Sequence, residues 1–233
     1  MPAHFFNARP NRPAYNLFML DLNLIQQIII MAPPLLLAIT LHEVAHGWVA
    51  LRCGDTTAKA QGRLSLNPLR HIDPIGTVLV PGLLAVFGGF IFGWAKPVPV
   101  NYGRLRQPKR DMALVALAGP LSNLLMALGW ALVTLAGQTL HGPLPWLGLP
   151  LMAMGVAGID VNVMLGVLNL VPIPPLDGSR VLAGALPNRA GQIMAQIEPY
   201  GLVILVVLLM SGVLNLMPIV NAIRHVILTV FFS

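Results

Sequence analysis

The sequence predicts an all-α polytopic membrane protein with about five to six membrane segments. Hydrophobic residues make up 56% of the 233 residues and charged residues only 9%, values far from those of soluble domains. Several apolar runs are long enough to cross about 30 Å of hydrocarbon. The connections between these runs hold most of the lysines and arginines, as is usual in helical membrane proteins.

The long apolar runs cover residues 22–51, 112–138, 147–171 and 200–223. Glu198 and Pro199 immediately precede the last run, a pattern typical of a helix start. Polar residues interrupt that run after residue 214, so residues 191–233 form either one span and an interfacial helix or two short spans. We interpret residues 1–233 as one integral membrane domain, with a core at about residues 22–190.

A fifth apolar segment, residues 75–93, is shorter and is interrupted by proline and glycine. Basic residues flank it on both sides, although lysine and arginine prefer cytoplasmic loops. The segment therefore either enters the membrane and returns, or crosses it and leaves one basic loop outside. The charges favour the re-entrant loop. They also place the end of the first run and the end of the 147–171 run on the cytoplasmic side.

Charge and cysteine content exclude several classes of partner and site. The net charge is +6, but the basic residues are spread over short loops without a basic helix face, so we expect no nucleic-acid partner. Cys53 is the only cysteine, which excludes an internal disulfide and a thiolate metal cluster. The expected surroundings are the lipid bilayer, and no feature of the sequence indicates an oligomeric state.

The most informative stretch lies in the first apolar run, where residues 37–50 read LAITLHEVAHGWVA. His42 and His46 are four residues apart, which places both imidazoles on one face of a helix. Two such nitrogens can bind one zinc ion, and Glu43 between them is suited to act as a general base. A shuffled chain with the same histidine and glutamate content would contain the pattern with a probability on the order of one in a thousand. We therefore prefer a metal site to a pair of hydrogen-bonded helix histidines.

A catalytic zinc ion takes three protein ligands, and Asp177 is the candidate for the third. It lies in LNLVPIPPLDGSRVL, after the 147–171 run, which ends on the same side as the first run. The three prolines of this stretch break the helix, and an unwound segment at membrane depth is tolerated where it lines a cavity. The alternative is that Asp177 is only the N-cap of the helix that follows.

Three motifs in order resemble the site-2 protease family of intramembrane zinc metalloproteases: HEVAH in an apolar helix, AGPLSN at residues 118–123 and NLVPIPPLDG at residues 169–178. The resemblance covers about residues 35–190 and is that of a compact member without PDZ or CBS domains. It implies one zinc ion per chain, a single-span membrane protein as substrate, and cleavage within or next to transmembrane segments in regulated intramembrane proteolysis. The residues it implies are His42, His46 and Asp177 as zinc ligands, Glu43 as the base that activates zinc-bound water, and Asn169 as the oxyanion stabiliser.

Two further residues are candidates near the site. His71 has one of two roles. It acts at the site, where it contacts substrate, orients a ligand or joins the metal, or it is a solvated interfacial histidine without such a role. Asn123 either acts beside the active site or holds the helix bundle together by hydrogen bonds. Gly119 is interpreted as permitting close approach of helices, and Asp160 as having a structural partner or lying near the outer surface.

The expected localisation is the cell membrane of a bacterium or archaeon, with the active site nearer the cytoplasmic side. The alternative function is a non-catalytic membrane relative that binds helices, or a divalent-metal carrier. A carrier usually distributes ionisable residues along several spans or symmetric repeats, whereas here they cluster at one level. A relative without catalysis would be expected to lack the base or a ligand, and this chain has both.

Overall fold

The computed structural model describes residues 22–80, 83 and 94–232. The described residues form helices and irregular connections, without a β-strand among them. Six helices within these residues have nine or more residues each, and we number them in chain order: α1 Leu24–Arg52, α2 Pro108–His141, α3 Pro145–Asn169, α4 Asp177–Ala185, α5 Asn188–Met210 and α6 Met217–Phe232. The predicted all-α fold class is confirmed.

Four stretches of the described residues are helical, long and apolar enough to cross a membrane: Ile25–Arg52, Pro108–His141, Pro145–Asn169 and Gly191–Met210. Helix α6 is also apolar but has only 16 residues. Many large apolar side chains of these helices are exposed, as expected for side chains that face lipid, with Leu125 68% exposed and Val203 65% exposed. These features are those of a polytopic membrane protein.

The C-terminal region differs from the prediction in where its helices begin and end. Pro199 lies inside α5, so the predicted helix start at Glu198 and Pro199 is wrong. Contacts on both sides of this proline hold the helix together despite its missing N–H group. Glu198 forms an ion pair of 3.1 Å with Arg180 of α4, and a Cβ on Gly201 would lie under 3.0 Å from the backbone of Pro174.

The chain divides into two compact units. Of the described residues, the first unit contains 22–38, 123–167 and 216–232, and therefore the start of α1, most of α2 and α3, and α6. Ile30 of α1 packs against Ala153 and Ala157 of α3 in its core. Helices α2 and α3 approach closely, because a Cβ on Gly155 would lie under 3.0 Å from the backbone of Thr134. Small residues at such a position are typical of helix packing in membranes.

Polar contacts also join the helices of the first unit. The side-chain amide of Asn123 donates to Oδ1 of Asn162 at 3.0 Å and to the backbone oxygen of Ala38 at 3.3 Å. Arg224 of α6 donates to a carboxylate oxygen of Asp160 on α3 at 2.6 Å. The prediction that Asp160 has a structural partner is confirmed.

Of the described residues, the second unit contains 39–80, 83, 94–122 and 168–215, and therefore the end of α1, the start of α2, and helices α4 and α5. Ala50, Leu105 and Val115 form a buried cluster that joins α1, the connection and α2. Asp55, just after α1, is fully buried and accepts backbone hydrogen bonds from Thr57 at 3.0 Å and Asn101 at 2.7 Å. This carboxylate ties the two ends of the long connection together.

The apolar segment at residues 75–93 falls largely on residues 81–82 and 84–93, which lie outside the described residues. Its two ends are described and lie side by side. The N–H of Trp94 donates to the backbone oxygen of Gly76 at 3.0 Å, and Oγ1 of Thr77 donates to the backbone oxygen of Trp94 at 2.8 Å. The path of the segment between these two ends lies outside the described residues, so the choice between a re-entrant loop and a crossing stays a prediction.

Candidate metal centre

Two histidines of α1 lie at the centre of the candidate site. His42 and His46 are one helical turn apart, and their Nε2 atoms are 3.0 Å apart. Their rings are nearly perpendicular, with centroids separated by 4.6 Å. Each residue is only 9% exposed. The helical spacing thus brings two imidazole nitrogens to one buried point.

Asp177 completes a group of three ligand-type side chains. Its Oδ2 atom lies 3.2 Å from Nε2 of His42 and 3.2 Å from Nε2 of His46. Within the described part of the chain, no other three His, Cys, Asp or Glu side chains place their ligand atoms within 4.8 Å of one another. A tetrahedral zinc ion with bonds of about 2.0–2.1 Å separates its ligand atoms by about 3.3 Å. The three atoms are therefore spaced as ligands of one such ion would be.

The proline-rich turn between α3 and α4 positions Asp177. A Cβ on Gly178 would lie under 3.0 Å from the carbonyl group of Leu170, so the turn packs against the helix start as closely as only glycine permits. Asp177 is the first residue of α4, and the N-cap position belongs to Leu176, which makes no side-chain cap. The alternative role of Asp177 as an N-cap is therefore wrong. Its carboxylate lies beside the histidines instead.

The hydrogen bond of His46 determines which of its nitrogens is available to a cation. Nδ1 of His46 lies 2.7 Å from the backbone oxygen of Val115, and since a carbonyl can only accept, Nδ1 is the donor. In a neutral imidazole the opposite nitrogen, Nε2, then carries a lone pair. Oδ2 of Asp177, also an acceptor, is buried and has no hydrogen-bond donor of good geometry among the described residues. Converging acceptors of this kind, two imidazoles and a carboxylate, fit a zinc ion.

The carboxyl group of Asp177 is also in the ionised form that a metal ligand needs. Burial acts to raise its pKa, but hydrogen bonds and charge from the protonated form of His42 and His46 outweigh burial and hold the pKa well below the usual range. A bound cation would take the place of that positive charge. A ligand that is already deprotonated at neutral pH need not release a proton when a metal binds.

Helix α2 passes directly beside the two histidines. A Cβ on Gly119 would lie under 3.0 Å from Nε2 of His46 and from Nε2 of His42. Any larger residue here would push against the ring nitrogens. The prediction that Gly119 permits close approach of helices is confirmed.

Glu43 is held by the backbone of the irregular segment at residues 94–100. Its Oε2 atom accepts a hydrogen bond of 2.7 Å from the N–H of Val98. Gly47, one turn further along α1, lets this segment approach the helix, because a Cβ there would lie under 3.0 Å from side-chain atoms of Leu64 and Val98. A carboxylate fixed by one backbone donor keeps further lone pairs free for a proton. This arrangement suits a general base.

Tyr102 is a nearby residue for which the sequence offered no signal. The guanidinium carbon of Arg180 lies 5.7 Å from the centroid of its ring. Burial raises the pKa of the Tyr102 phenol, and the charges of Asp177, Glu198 and Glu43 add to this effect against the opposing charge of Arg180. The phenol is therefore a protonated donor at neutral pH.

The remaining sequence candidates, Asn169, Asn123 and His71, lie in different surroundings. Asn169 is the last residue of α3 and directly precedes the turn that leads to Asp177. Asn123 is buried in the first unit, where it bonds to Asn162 and Ala38. The catalytic role of Asn169 and the site-proximal role of Asn123 stay predictions.

His71 is 1% exposed, so the expectation of a solvated histidine is wrong. Nε2 of His71 lies 2.8 Å from the backbone oxygen of Ser65, to which it donates, and its own backbone oxygen accepts from the N–H of Lys96 at 2.9 Å. These bonds close a loop and bury the ring within it. His71 lies outside the group of three ligand-type side chains, and its predicted contact with substrate stays a prediction.

Sequence reasoning missed the backbone groups that orient the site. The carbonyl of Val115 and the N–H of Val98 act through atoms that every residue except proline carries, so their residue types give no signal. Only the neighbouring Gly119, in the AGP motif, hinted that a backbone would pass close to the histidines.

A buried group of two histidines and an aspartate, with a glutamate between the histidines on an apolar helix, is typical of a zinc metallopeptidase. Comparison with known proteins agrees, because the sequence pattern of peptidase family M50 matches residues 147–213. The chain belongs to peptidase family M50, the family of the site-2 proteases. The resemblance drawn from the three sequence motifs is confirmed.

Several curated relatives carry names of the same kind. "Putative zinc metalloprotease YwhC" of Bacillus subtilis (strain 168) is 39% identical over 208 residues, which cover 84% of this chain and 88% of the relative. "Putative zinc metalloprotease Rip2" of Mycolicibacterium smegmatis is 33% identical over 181 residues, which cover 77% of this chain and 66% of the relative. "Putative zinc metalloprotease MJ0611" of Methanocaldococcus jannaschii is 35% identical over 144 residues, which cover 60% of this chain and 62% of the relative. We found no solved structure with a significant match.

Proposed function

We propose that the protein is an intramembrane zinc endopeptidase that cleaves peptide bonds within or next to the transmembrane segments of membrane proteins. The observation that carries this proposal is the convergence of His42, His46 and Asp177 beside Glu43 on a membrane-length helix. At a rise of 1.5 Å per residue, His42 lies about 15 Å from the C-terminal end of α1. The chemistry would thus take place within the span of the helix and not beyond its end.

In this proposal Nε2 of His42, Nε2 of His46 and Oδ2 of Asp177 hold one zinc ion per chain. When bound, zinc lowers the pKa of a water molecule and polarises a carbonyl group. The carbonyl of Val115 keeps the His46 ring in its tautomer and orientation, a contact that supports metal affinity in zinc proteins generally. The small residue Gly119 leaves room for the ring nitrogens.

Glu43 takes the proton from the attacking water and passes it to the nitrogen of the leaving amine. The N–H of Val98 holds one of its oxygens in place during this transfer. The side-chain amide of Asn169 donates a hydrogen bond to the oxyanion that develops on the substrate carbonyl. A helical substrate must unwind locally, since its peptide groups are otherwise occupied by their own hydrogen bonds.

The proposed substrate is a single-span membrane protein, and the proposed location is the cell membrane of a bacterium or archaeon. The named relatives come from two bacteria and an archaeon, which supports this location. Arg52 at the end of α1 and Lys109 and Arg110 at the start of α2 support an orientation with these ends in the cytoplasm. The active site would then be nearer the cytoplasmic side.

The test is cleavage of a panel of single-span substrates in proteoliposomes by the wild type, Glu43→Gln and Glu198→Gln. Loss of a general base slows turnover by about 10²–10⁴, so we expect Glu43→Gln to retain zinc and lose cutting to that extent. Glu198→Gln removes the other glutamate of the chain and is expected to cut within about twofold of the wild type, because its ion pair with Arg180 is solvent-exposed and such pairs contribute about 1 kcal/mol or less.

Two results would contradict the proposal. Equal cutting by Glu43→Gln would exclude the proposed base. A wild type that binds substrate helices or carries zinc across the bilayer but never cuts would instead support the helix-binding relative or the metal carrier.

A further inference from the structure

A cavity of the second unit lies where α1 ends and α2 begins. It has a volume of about 240 Å³ and is lined by side chains that include Arg52, Arg106, Arg110, Asp111 and Leu114. None of these residues belongs to the metal centre or contributes to the proposed catalysis. Three arginines around so small a cavity are unusual in a chain with only 9% charged residues.

The cavity has an excess of positive charge. Asp111 is the carboxylate among its lining residues, and Asp111 is 7% exposed and accepts the backbone N–H of Gln107 at 2.9 Å. Within the described residues, none of the three arginines forms an ion pair with a carboxylate. The start of the 34-residue helix α2 adds the partial positive charge of a helix N-terminus. Arginines gathered in this way are suited to bind a phosphate through charge-assisted hydrogen bonds.

Leu114 in the lining of the cavity, and Trp48 beside the lining residue Arg52, give the site an apolar side that points to a lipid. Leu114 follows Arg110 by one turn of α2, further into the apolar span, and is 42% exposed. Trp48 precedes Arg52 by one turn of α1, is 50% exposed and stacks against the Arg52 guanidinium, whose carbon is 4.5 Å from the ring centroid. Tryptophan is enriched at the level of the lipid headgroups. The arginines therefore lie on the headgroup side of Trp48 and Leu114.

We propose that this cavity binds the phosphate of an anionic phospholipid, with the acyl chains lying along Leu114 and Trp48. Basic pockets between membrane helices bind the phosphates of anionic lipids in this way in other proteins. A lipid held here would join the end of α1 to the start of α2, the two helices that carry the histidines and Gly119. The proposal rests on the membrane spans and does not depend on catalysis.

The test is binding of short-chain phosphatidylglycerol to the purified full-length protein in detergent, measured by titration and native mass spectrometry. The variant Arg106→Gln/Arg110→Gln removes two of the three arginines. The matched control Lys59→Gln/Lys109→Gln makes the same change in net charge at exposed lysines that do not line the cavity. At about 1 kcal/mol for each basic residue near a lipid headgroup, we expect affinity to fall about 10- to 30-fold in the first variant and little in the control.

Two further arms make the test specific. The variant Arg106→Lys/Arg110→Lys keeps the positive charge and is expected to retain most of the lipid binding. Circular dichroism checks that every variant is folded. Short-chain phosphatidylcholine, whose headgroup is zwitterionic, should bind at least about tenfold more weakly than phosphatidylglycerol, and glycerol 3-phosphate should bind weakly because it has no acyl chain. Equal weakening of the arginine variant and the lysine control would overturn the proposal. Glycerol 3-phosphate binding as tight as that of the lipid would also overturn it, in favour of a site for a soluble phosphate.

Discussion

The ring of His46 illustrates how a single residue prepares the site. One nitrogen is engaged by the backbone oxygen of Val115 at 2.7 Å, and the other lies 3.0 Å from His42 and 3.2 Å from Asp177. The hydrogen bond to Val115 fixes the tautomer in which Nε2 of His46 carries the lone pair that a metal ion needs. Because α2 supplies Val115, the packing of α2 against α1 controls the geometry of a ligand on α1.

This coupling predicts that Gly119→Ala weakens metal binding. The added methyl group would lie under 3.0 Å from the Nε2 atoms of both histidines and would displace them. Loss of contacts that orient a metal ligand typically reduces metal affinity about 10- to 100-fold, and we expect an effect of that size in a zinc titration. Gly129→Ala in the same helix is the matched control, because a Cβ there meets nothing within 4 Å. Equal zinc affinity in the two variants would contradict the proposed arrangement.

A second prediction at the residue scale concerns Asp55 and acid pH. Burial acts to raise the pKa of this carboxyl, but hydrogen bonds from Thr57 and Asn101 outweigh it, so the pKa lies below its usual value. A group of this kind stabilises the folded state above its unfolded pKa of about 3.9 and loses that contribution as pH falls further. We expect Asp55→Asn to lower the free energy of unfolding at pH 7 by about 1–3 kcal/mol.

The measurement is thermal or denaturant unfolding of both proteins in detergent between pH 7 and pH 3. The stability of the wild type should fall more steeply below about pH 4 than that of Asp55→Asn. Parallel pH profiles would show that the hydrogen bonds of Asp55 do not contribute as proposed.

Single residues were predictable from the sequence where helix geometry alone decides their position. The spacing of His42 and His46 fixes both on one face of α1, and the structure places them so. His71 was misjudged because its burial depends on hydrogen bonds to Ser65 and Lys96 in an irregular loop, which no periodicity reveals.

At the scale of elements, the turn before α4 was predictable and the start of α5 was not. Proline and glycine in residues 170–178 indicate a break in the helix, and the carboxylate of Asp177 comes back to α1 as the topology required. In α5, Glu198 and Pro199 resemble a helix start. Their tertiary contacts with α4 and the turn instead keep the helix continuous from Asn188 to Met210.

The ion pair between Asp160 of α3 and Arg224 of α6 supports a further prediction. Arg224→Leu would leave the Asp160 carboxylate without its partner at 2.6 Å in a mostly apolar setting. Both side chains retain some exposure, so we expect a loss of about 2 kcal/mol in the free energy of unfolding, below the value for a fully buried pair. Asp160→Asn in the same background should recover part of this loss, as thermal unfolding would show. Additive effects of the two substitutions would mean that the pair is not coupled.

At the scale of the whole chain, hydropathy and charge predicted a polytopic helical membrane protein, and the structure agrees, with four helices among the described residues long and apolar enough to cross a membrane. The path of residues 75–93 was left open by the sequence, because basic residues flank both sides. The hydrogen bonds that join Trp94 to Gly76 and Thr77 depend on tertiary contact, which hydropathy and charge do not reveal.

The fold also predicts what removal of metal by a chelator would do to the whole protein. The first unit contains none of the metal-ligand residues, and its helices are joined by apolar and small side chains and by hydrogen bonds that need no metal. We therefore expect the helical circular dichroism signal to persist after chelation while cleavage is lost. The unfolding temperature should fall, since free zinc at about 1,000 times its dissociation constant stabilises a folded protein by about 4 kcal/mol. Loss of the helical signal on chelation would contradict this expectation.

The zinc content and the zinc X-ray absorption spectrum of the purified wild type and of Asp177→Ala test the metal centre most directly. We expect about one zinc ion per wild-type chain, with two imidazole nitrogens and carboxylate oxygen among its nearest neighbours. Asp177→Ala should lose most of this metal. Full zinc content in Asp177→Ala, or a wild-type spectrum without imidazole ligands, would contradict the assignment of His42, His46 and Asp177 as the metal centre.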